Sequence, residues 1–173
     1  MVPGEAIPVR NSRSVLEMFP PFPIVLVTTR TNIIAINQVV YLTFSPLRIG
    51  IGVAHARHTY SLLRDEGEFV VNVPDVSMVE AVKICGSLSG RDHDKFEAAG
   101  LSRRKRAEVK AVGIAECSAG IECRVIKEIP FEKRTWFVGE AVATWRDERH
   151  DPRNALMCDR HEYTIPGEHV AAR

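Results

Sequence analysis

Apolar runs separated by short polar turns dominate the first third of the chain. A β-branched apolar run extends from Ile24 to Thr29, and the polar segment Arg30-Thr31-Asn32 separates it from a second apolar run, Ile33 to Phe44. β-Branched residues favour strands, and two such runs joined by a short polar turn are typical of a hairpin. We therefore predict a pair of strands in this part of the chain.

A third apolar run, from Leu47 to Ala54, follows Pro46 and alternates large side chains with Gly50 and Gly52. Alternation with a period of two predicts a strand with one large face and one bare face. A glycine within a strand marks the close approach of another group, either a neighbouring part of the sheet or a ligand. The sequence leaves these two alternatives open.

Capping residues and glycines indicate three short helices between the strands. Ser77 and Glu80 have the spacing of a capping box, and Gly67 and Gly100 each follow a segment of helical length. The predicted helices extend from Thr59 to Glu66, from Ser77 to Gly86 and from Asp92 to Ala99, with Thr59, Ser77 and Asp92 as their caps.

Strands outnumber helices in the predicted element order. The remaining apolar runs predict strands at Glu68 to Val73, Gly120 to Ile129 and Thr135 to Trp145. The basic stretch Arg103 to Arg106 predicts a solvated loop, because four like charges alone are weak evidence of nucleic-acid binding. This order favours a mainly β fold with short helices, a small closed barrel with helical excursions, over alternating βαβ units.

Length and charge narrow the classes of partner. The chain has 173 residues, 45% hydrophobic and 26% charged, which fits a single globular domain spanning 1–173. Lys and Arg number 23 against 22 Asp and Glu, so the net charge of +1 gives no general attraction to nucleic acid or anionic membranes. We therefore expect neither nucleic acid nor a membrane as a partner.

The apolar stretch from Phe19 to Val27 contains three prolines, so it matches neither a signal peptide nor a membrane span. The four cysteines form no Cys-x-x-Cys pair; they are Cys85, Cys117, Cys123 and Cys158. Scattered cysteines of this kind indicate reduced thiols. The sequence therefore predicts a cytoplasmic protein with no disulfide framework and no zinc site.

A first candidate binding site lies at the start of the Thr59 helix, where His55, Arg57 and His58 precede the hydroxyl of Thr59. A helix start binds anions, because its backbone N–H groups point outward and its dipole is positive there. This combination predicts a phosphate cradle. Such clusters also occur on plain surfaces, so a solvated surface is the alternative.

A second candidate site is the polar, glycine-containing stretch from Ser89 to Phe96, which leads directly into a helix. It offers donors and cations to a ligand. Its alternative interpretation is a capped loop, with Asp92 as the cap and Phe96 in the core. The chain shows neither a nucleophile-elbow spacing nor a P-loop, so we predict no catalytic residue and expect a cofactor to supply the chemistry.

Several segments together resemble the flavin reductase-like, FMN-binding split-barrel family, and in particular its flavoredoxin type. The most specific are Ser89-Gly90-Arg91, Asp94-Lys95-Phe96 and Ala98-Ala99-Gly100-Leu101, which are similar to the family's signature almost residue for residue. The strand sequence from Gly67 to Val73 and the later segment from Phe137 to Glu140 also resemble it. The resemblance covers about residues 15 to 145 and implies an FMN-binding split β-barrel.

The resemblance also implies which residues bind the cofactor FMN. The flavin ring and ribityl chain are assigned to Asn32, Ile33, Ile34, Ala35, Ile36, Asn37 and Gln38, and the phosphate to His55, Arg57 and Thr59. The remaining flavin-side residues are Ser89, Gly90, Arg91 and Lys95. Lys95 and Arg91 are the expected cations that favour the anionic reduced flavin. No metal site is implied.

The function implied is that of an oxidoreductase passing electrons from NAD(P)H through FMN to a small-molecule or protein acceptor, as in a flavin or ferric reductase. Two alternatives stay open, namely a non-enzymatic FMN electron carrier and a scaffold of the same fold that has lost the cofactor. We expect a homodimer, because relatives close their flavin site with the second subunit and a small split barrel leaves strand edges to be covered.

Overall fold

A computed structural model describes residues 19–159 and 162–167, which form a mainly β structure with short helices. The strands are Phe22–Pro23 (β1), Val25–Thr28 (β2), Ile33–Ile36 (β3), Val39–Phe44 (β4), Leu47–Ala54 (β5), Glu68–Val73 (β6), Arg103–Arg104 (β7), Gly113–Ile114 (β8), Ala119–Pro130 (β9), Arg134–Arg146 (β10), Met157–Asp159 (β11) and Glu162–Thr164 (β12). The α-helices are His58–Glu66 (α1), Val79–Ser87 (α2) and Lys95–Ala98 (α3). The predicted fold class is confirmed.

Seven strands form one antiparallel sheet in the order β3-β2-β6-β9-β10-β5-β4. Its two edge strands are neighbours in the chain, because only Asn37 and Gln38 separate the end of β3 from the start of β4. The Gln38 carbonyl accepts a hydrogen bond from the Gly52 N–H at 2.9 Å, so the edges meet at this corner. The sheet is thus curled into a barrel that is split between β3 and β4.

The side chains of the sheet separate into two cores, because successive residues of a strand point to opposite faces. One core gathers residues from six strands of the sheet, including Val27, Phe69 and Phe137, and Leu63 of α1 packs into it. The other face carries Leu26 and packs against Phe96 of α3 and against α2. The second core therefore fixes α2 and α3 on the outside of the sheet.

The hairpin predicted around residues 30–32 is confirmed, since β2 pairs with β3. The predicted run from Ile33 to Phe44 is divided, because the chain turns at residues 37–38 and β4 pairs with β5 instead. The strands predicted from Leu47 and from Glu68 have the predicted bounds. Among the described residues, no helix is long and apolar enough to cross a membrane.

The helices lie where they were predicted, but their caps are different residues. Arg57, in an extended conformation, is the N-cap of α1, and the Thr59 predicted as the cap lies inside the first turn. The prediction that Asp92 caps the third helix is also wrong. The cap is Asp94, whose carboxylate accepts hydrogen bonds from the first N–H groups of α3. Gly86 does not end the second helix, which continues to Ser87, and the Ser77 N–H donates to the Asp75 carboxylate in the preceding turn.

The basic stretch from Arg103 to Arg106 is largely exposed, as predicted, but only part of it is a loop. Its first two residues form β7, which pairs with β8. The Arg104 guanidinium lies 5.3 Å from the centre of the Trp145 ring, and Arg106 Nε donates to the Val109 carbonyl at 2.7 Å. These arginines are tied to their neighbours, because a guanidinium both stacks on aromatic faces and donates hydrogen bonds.

Candidate functional site

A cleft made of two adjoining cavities lies beside β3. The first, of about 150 Å³, lies between the start of α1, the end of α2 and the segment 88–91. The second, of about 280 Å³, lies between β3, β5 and the start of β10. Ile34, Arg57 and Gly86 line both cavities, so the two form one continuous cleft.

The structure brings most of the predicted site residues to this cleft. The first cavity is lined by Asn32, Ile34, Arg57, Thr59, Ser89, Gly90, Arg91 and Lys95, and the second by Ile34, Ala35, Ile36, Asn37, Gln38 and Arg57. The predicted phosphate cradle and the stretch from Ser89 to Phe96, which lie about 30 to 40 residues apart in the sequence, therefore line one cavity together.

Ile33 and His55 do not line the cleft. Successive side chains of a strand point to opposite faces of the sheet, so Ile33 faces away from the cleft. Its side chain is fully buried in the core beside α2 and α3. His55 Nε2 lies 3.0 Å from Thr135 Oγ1, and its ring packs 4.7 Å from that of Tyr60. The His55 ring is thus occupied by contacts to β10 and α1.

Asn32 is the polar residue at the centre of the first cavity. Only 2% of it is exposed, and its Nδ2 donates to the hydroxyl of Thr59 at 2.8 Å. Its Oδ1 is buried without a hydrogen-bond partner among the described residues. An unpaired buried oxygen costs about 1 to 3 kcal/mol, so the site fits a ligand that donates a hydroxyl hydrogen.

Gly90 closes over Asn32 from the other wall. A Cβ at this position would lie 1.9 Å from Asn32 Oδ1 and 2.7 Å from its Cγ. Any larger residue would therefore displace the Asn32 amide, and glycine is required for this close approach of the segment 88–91. The segment 88–91 is therefore in direct contact with the Asn32 amide at this wall of the cavity.

Positive charge surrounds the first cavity. Arg57, His58, Arg91 and Lys95 line it, and its described lining contains no Asp or Glu. The α1 helix begins here without a side-chain cap, so its first N–H groups are open to a ligand. Since the Thr59 hydroxyl only accepts from Asn32, its own hydrogen is available as a donor. The arrangement fits a phosphate group.

Lys95 is buried, although it is the first residue of α3 and carries a charge. Only 4% of it is exposed, and its Nζ donates to the Ile33 carbonyl and to the Cys85 carbonyl, each at 2.8 Å. Burial lowers the pKa of Lys95, while the nearby Cys85 opposes and Arg57 adds to this shift. The ammonium thus joins β3 to the last turn of α2 and supports the cavity wall.

Cys85 is also among the residues that line the first cavity, and its side chain belongs to the core beside α2 and α3. Burial raises its pKa to about 11, with Lys95 acting in the opposite direction. The thiol is therefore protonated at neutral pH, and the thiolate is the nucleophilic form. Cys85 contributes packing to the site rather than a nucleophile.

The second cavity has an apolar floor and a polar end. Its floor includes Ile24, Ile36 and Val53, and its polar end is formed by residues 37 and 38 with Arg134. Such a surface suits a flat, largely apolar ring with polar atoms at one edge. Arg134 was not among the predicted cofactor-binding residues, because it reaches the cavity through the pairing of β10 with β5.

The two alternating glycines of β5 have different roles. A Cβ at Gly50 would lie 3.3 Å from atoms of Leu42 and Trp136, so this position serves tight packing of the sheet. Gly52 lines the second cavity, and a Cβ there would lie 2.4 Å from Gln38 Oε1. The alternation of large residues with glycine was thus the sequence signal that could have identified Gly52 as a residue of the cleft.

Comparisons with known proteins agree with this geometry. Flavoredoxin from Methanosarcina acetivorans superposes with a TM-score of 0.86 at 26% identity, covering 98% of this chain and 95% of that chain. A protein with a split barrel domain from Shewanella frigidimarina has a TM-score of 0.85 at 16% identity, covering 95% of this chain and 94% of that one. The predicted split-barrel fold is confirmed.

In sequence, the chain is 40% identical over 113 residues to an uncharacterized protein of Archaeoglobus fulgidus. The match covers 65% of this chain and 64% of that protein, so the chain spans just under two thirds of the relative's length. The family model described as flavin reductase like domain matches residues 19–166, which include both cavities of the cleft. The chain therefore belongs to the flavin reductase like domain family.

Proposed function

We propose that the chain binds FMN in the cleft and works as an oxidoreductase that passes electrons from NAD(P)H through FMN to a small-molecule or protein acceptor. The observation that carries this proposal is the buried, unpartnered Oδ1 of Asn32. Asn32 lies between the basic residues at the start of α1 and the largely apolar second cavity. FMN has three groups that fit the start of α1, Asn32 and the second cavity in turn. Those groups are a phosphate, a hydroxylated ribityl chain and a flat ring.

Each part of the cofactor has its own set of residues. The start of α1, with Arg57, Thr59 and Arg91, would hold the phosphate. Asn32 Oδ1 would accept a hydrogen bond from a ribityl hydroxyl, and the second cavity would take the ring. When bound, FMN supplies two-electron transfer between a nicotinamide and an acceptor.

The protein's own contribution is position and charge. Gly90 and the Lys95 ammonium keep the first cavity narrow, and the lining of both cavities contains no carboxylate among the described residues. An anionic cofactor is favoured in such a site, because no like charge opposes it. The named relative from Methanosarcina acetivorans, a flavoredoxin, supports this assignment.

The visible spectrum of freshly purified protein, before and after incubation with FMN and gel filtration, tests cofactor binding. We expect a flavin spectrum with about one FMN per chain. Addition of NADH or NADPH without air then tests the enzyme, since bleaching of the flavin at catalytic speed supports an NAD(P)H-dependent reductase. A bound flavin that neither nucleotide bleaches indicates an electron carrier, and a chain that retains no flavin contradicts the proposal.

We further propose that the protein is a homodimer. The edge strand β4 exposes four apolar side chains, Val40 at 42%, Tyr41 at 64%, Leu42 at 49% and Phe44 at 78%. An apolar hollow of about 250 Å³ adjoins them, lined by Val40, Leu42, Gly50, Ile129, Trp136 and Val138. An exposed apolar edge strand readily pairs with another chain, and a second copy of the protein is the proposed partner.

A reducing location fits the cysteines. Three of them, Cys85, Cys117 and Cys123, are buried free thiols. Free cysteines persist where glutathione and thioredoxin keep thiols reduced. We propose the cytoplasm as the place of action.

A further inference from the structure

Arg134 is a cation of the second cavity that the resemblance did not assign. It is the first residue of β10 and pairs with Ala54 of β5, and its half-buried side chain lines the cavity beside Gln38. Its Nη1 donates to the side-chain oxygen of Gln38. The guanidinium thus stands at the polar end of the cavity that suits the flavin ring.

Neighbouring backbone fixes the position of this guanidinium. The Gln38 carbonyl accepts from the Gly52 N–H at 2.9 Å, and the bare Cα of Gly52 leaves the room that the Gln38 side-chain oxygen fills. Gln38 is therefore held against β5, and it in turn orients Arg134. A guanidinium has five N–H donors, so the contact with Gln38 leaves others available to the cavity.

Within the described part of the chain, no carboxylate forms an ion pair with this guanidinium. The ion pairs found among the described residues involve neither Arg134 nor Arg57. These two arginines are also the charged residues in the described lining of the second cavity. Arg57 also lines the first cavity, whereas Arg134 lines only the second, where it contacts Gln38.

We propose that Arg134 stabilises the anionic reduced flavin relative to the oxidised flavin and so raises the midpoint potential of the bound cofactor. This inference rests on the proposed function. Reduction adds two electrons and one proton to the neutral oxidised ring, which leaves one negative charge. The electrons come from NAD(P)H in the proposed reaction and from dithionite in the titration below. A fixed cation beside the ring lowers the free energy of that charge.

The cations that the resemblance implies, Lys95 and Arg91, are less suited to this role. The Lys95 ammonium already donates to two backbone carbonyls, and both residues line the first cavity rather than the second. Arg91 Nη1 donates to the Ala56 carbonyl at 3.4 Å, across that first cavity. Their positive charge is directed to the phosphate end of the cleft.

The test compares wild type, Arg134→Gln, Arg134→Lys and Lys133→Gln. Lys133 is the exposed neighbour of Arg134, so its substitution removes the same charge without changing the cavity. The affinities for oxidised and reduced FMN are measured, and the midpoint potential is followed by anaerobic dithionite titration with indicator dyes. We expect Arg134→Gln to weaken reduced FMN about tenfold more than oxidised FMN, which corresponds to about 30 mV for a two-electron couple.

Two further readouts separate a charge effect from a structural one. Arg134→Lys should retain most of the potential, and Lys133→Gln should not change it. In Arg134→Gln, the pH at which the reduced flavin takes up its second proton, seen as a break in the potential against pH, should move upward. Gln38→Met, which removes the oxygen that orients the guanidinium, should lower the potential in the same direction.

The outcomes distinguish this inference from the function on which it rests. Equal potentials in wild type, Arg134→Gln and Gln38→Met, with FMN bound in each, would overturn the role of Arg134 and leave the proposed function intact. An equal decrease in Lys133→Gln would also overturn it, because the effect would then be one of net charge. Failure of the wild type to bind FMN would overturn both.

Discussion

The Asn32 side-chain amide donates to the Thr59 hydroxyl at 2.8 Å, and both residues are almost fully buried. This bond joins the start of β3 to the first turn of α1 and so ties together two walls of the first cavity. It also fixes the direction of the amide, because the nitrogen is used by Thr59 and the oxygen is left facing Gly90. The orientation of the proposed ribityl acceptor therefore depends on Thr59.

Thr59→Val removes the hydroxyl while keeping the shape of the side chain. We expect FMN affinity to fall at least about tenfold, since the Asn32 amide loses its anchor and the phosphate loses a donor. Stability should fall by about 1 to 2 kcal/mol, because the buried Nδ2 is left unpaired. Fluorescence titration with FMN and urea unfolding measure the two effects, and Ser61→Ala on the exposed side of α1 is the control. Unchanged affinity would contradict the phosphate assignment.

Gly90→Ala places a methyl group where Asn32 Oδ1 lies, 1.9 Å from the ideal Cβ position. The amide or the segment 88–91 must move, so we expect a loss of FMN affinity of at least about tenfold with a cost in stability of about 1 to 3 kcal/mol. Gly113→Ala is the matched substitution, because its Cβ would also be crowded, at 3.0 Å from the Trp145 ring, but Gly113 is outside the described lining of both cavities. Equal binding by both variants would show that the approach of Gly90 to Asn32 is not needed.

Lys95→Met should destabilise the fold, because the carbonyls of Ile33 and Cys85 lose the ammonium that bonds to both. We expect a decrease of about 1 to 3 kcal/mol in the free energy of unfolding. Lys83→Met is the control, since Lys83 lies on the exposed face of α2 in an ion pair with Glu80 and should cost less than about 1 kcal/mol. A neutral or stabilising Lys95→Met would contradict the supporting role of this residue.

Asp94→Ala tests the cap of α3 and its dependence on pH. The hydrogen bond from Arg103 holds the pKa of Asp94 below its ordinary value of 3.8, and bonds from the Phe96 and Glu97 N–H groups act in the same direction. Since the folded pKa is lowered, the stabilisation is fully present above pH 3.8 and is lost as the pH falls through the folded value.

At neutral pH we expect Asp94→Ala to lose about 1 kcal/mol from the cap, with little added by the exposed pair with Arg103. Asp94→Asn keeps a capping oxygen and should retain most of the stability. Urea unfolding of the three proteins between pH 7 and 2.5 measures the difference. If the gap between wild type and Asp94→Ala did not shrink in acid, the carboxylate would not be its source.

Leu42→Glu should convert the proposed dimer to a monomer, because it places a charge on the apolar face of β4. Sedimentation equilibrium at micromolar concentration should give twice the 19.3 kDa chain mass for the wild type and the single mass for the variant. Val76→Glu is the control. Val76 is 51% exposed and lies in the turn before α2, outside the sheet that contains β4. A monomeric wild type would contradict the proposal.

Local patterns predicted most of the elements, because strands and helices depend on nearby residues. The bounds of β5 and β6 follow from alternation and from the glycine at residue 67, which has a φ of 66°. The caps were less predictable. Asp92 and Asp94 are equally good capping residues, and the choice of Asp94 depends on Arg103, which lies on another strand.

The residues of the candidate site that belong to sequence motifs could be predicted. The residue that reaches the site through strand pairing distant in the sequence could not. Asn32, Thr59 and the segment from Ser89 to Lys95 resemble family motifs, and the structure brings them to one cavity. Ile33 was placed in the site because it lies between lining residues, although strand alternation turns it into the core. Arg134 reaches the cleft through the pairing of β10 with β5, which no local pattern encodes.

The cleft is assembled from strands whose partners are distant in the sequence, as when β2 pairs with β6 and β6 with β9. Contacts of this kind form slowly, and the walls of the cleft exist only once the sheet has curled. A ligand that occupies the cleft therefore binds the native state alone, and its binding free energy adds to the stability of the whole chain. Under the proposed function this ligand is FMN, and its depletion would then increase the unfolded fraction that proteases recognise.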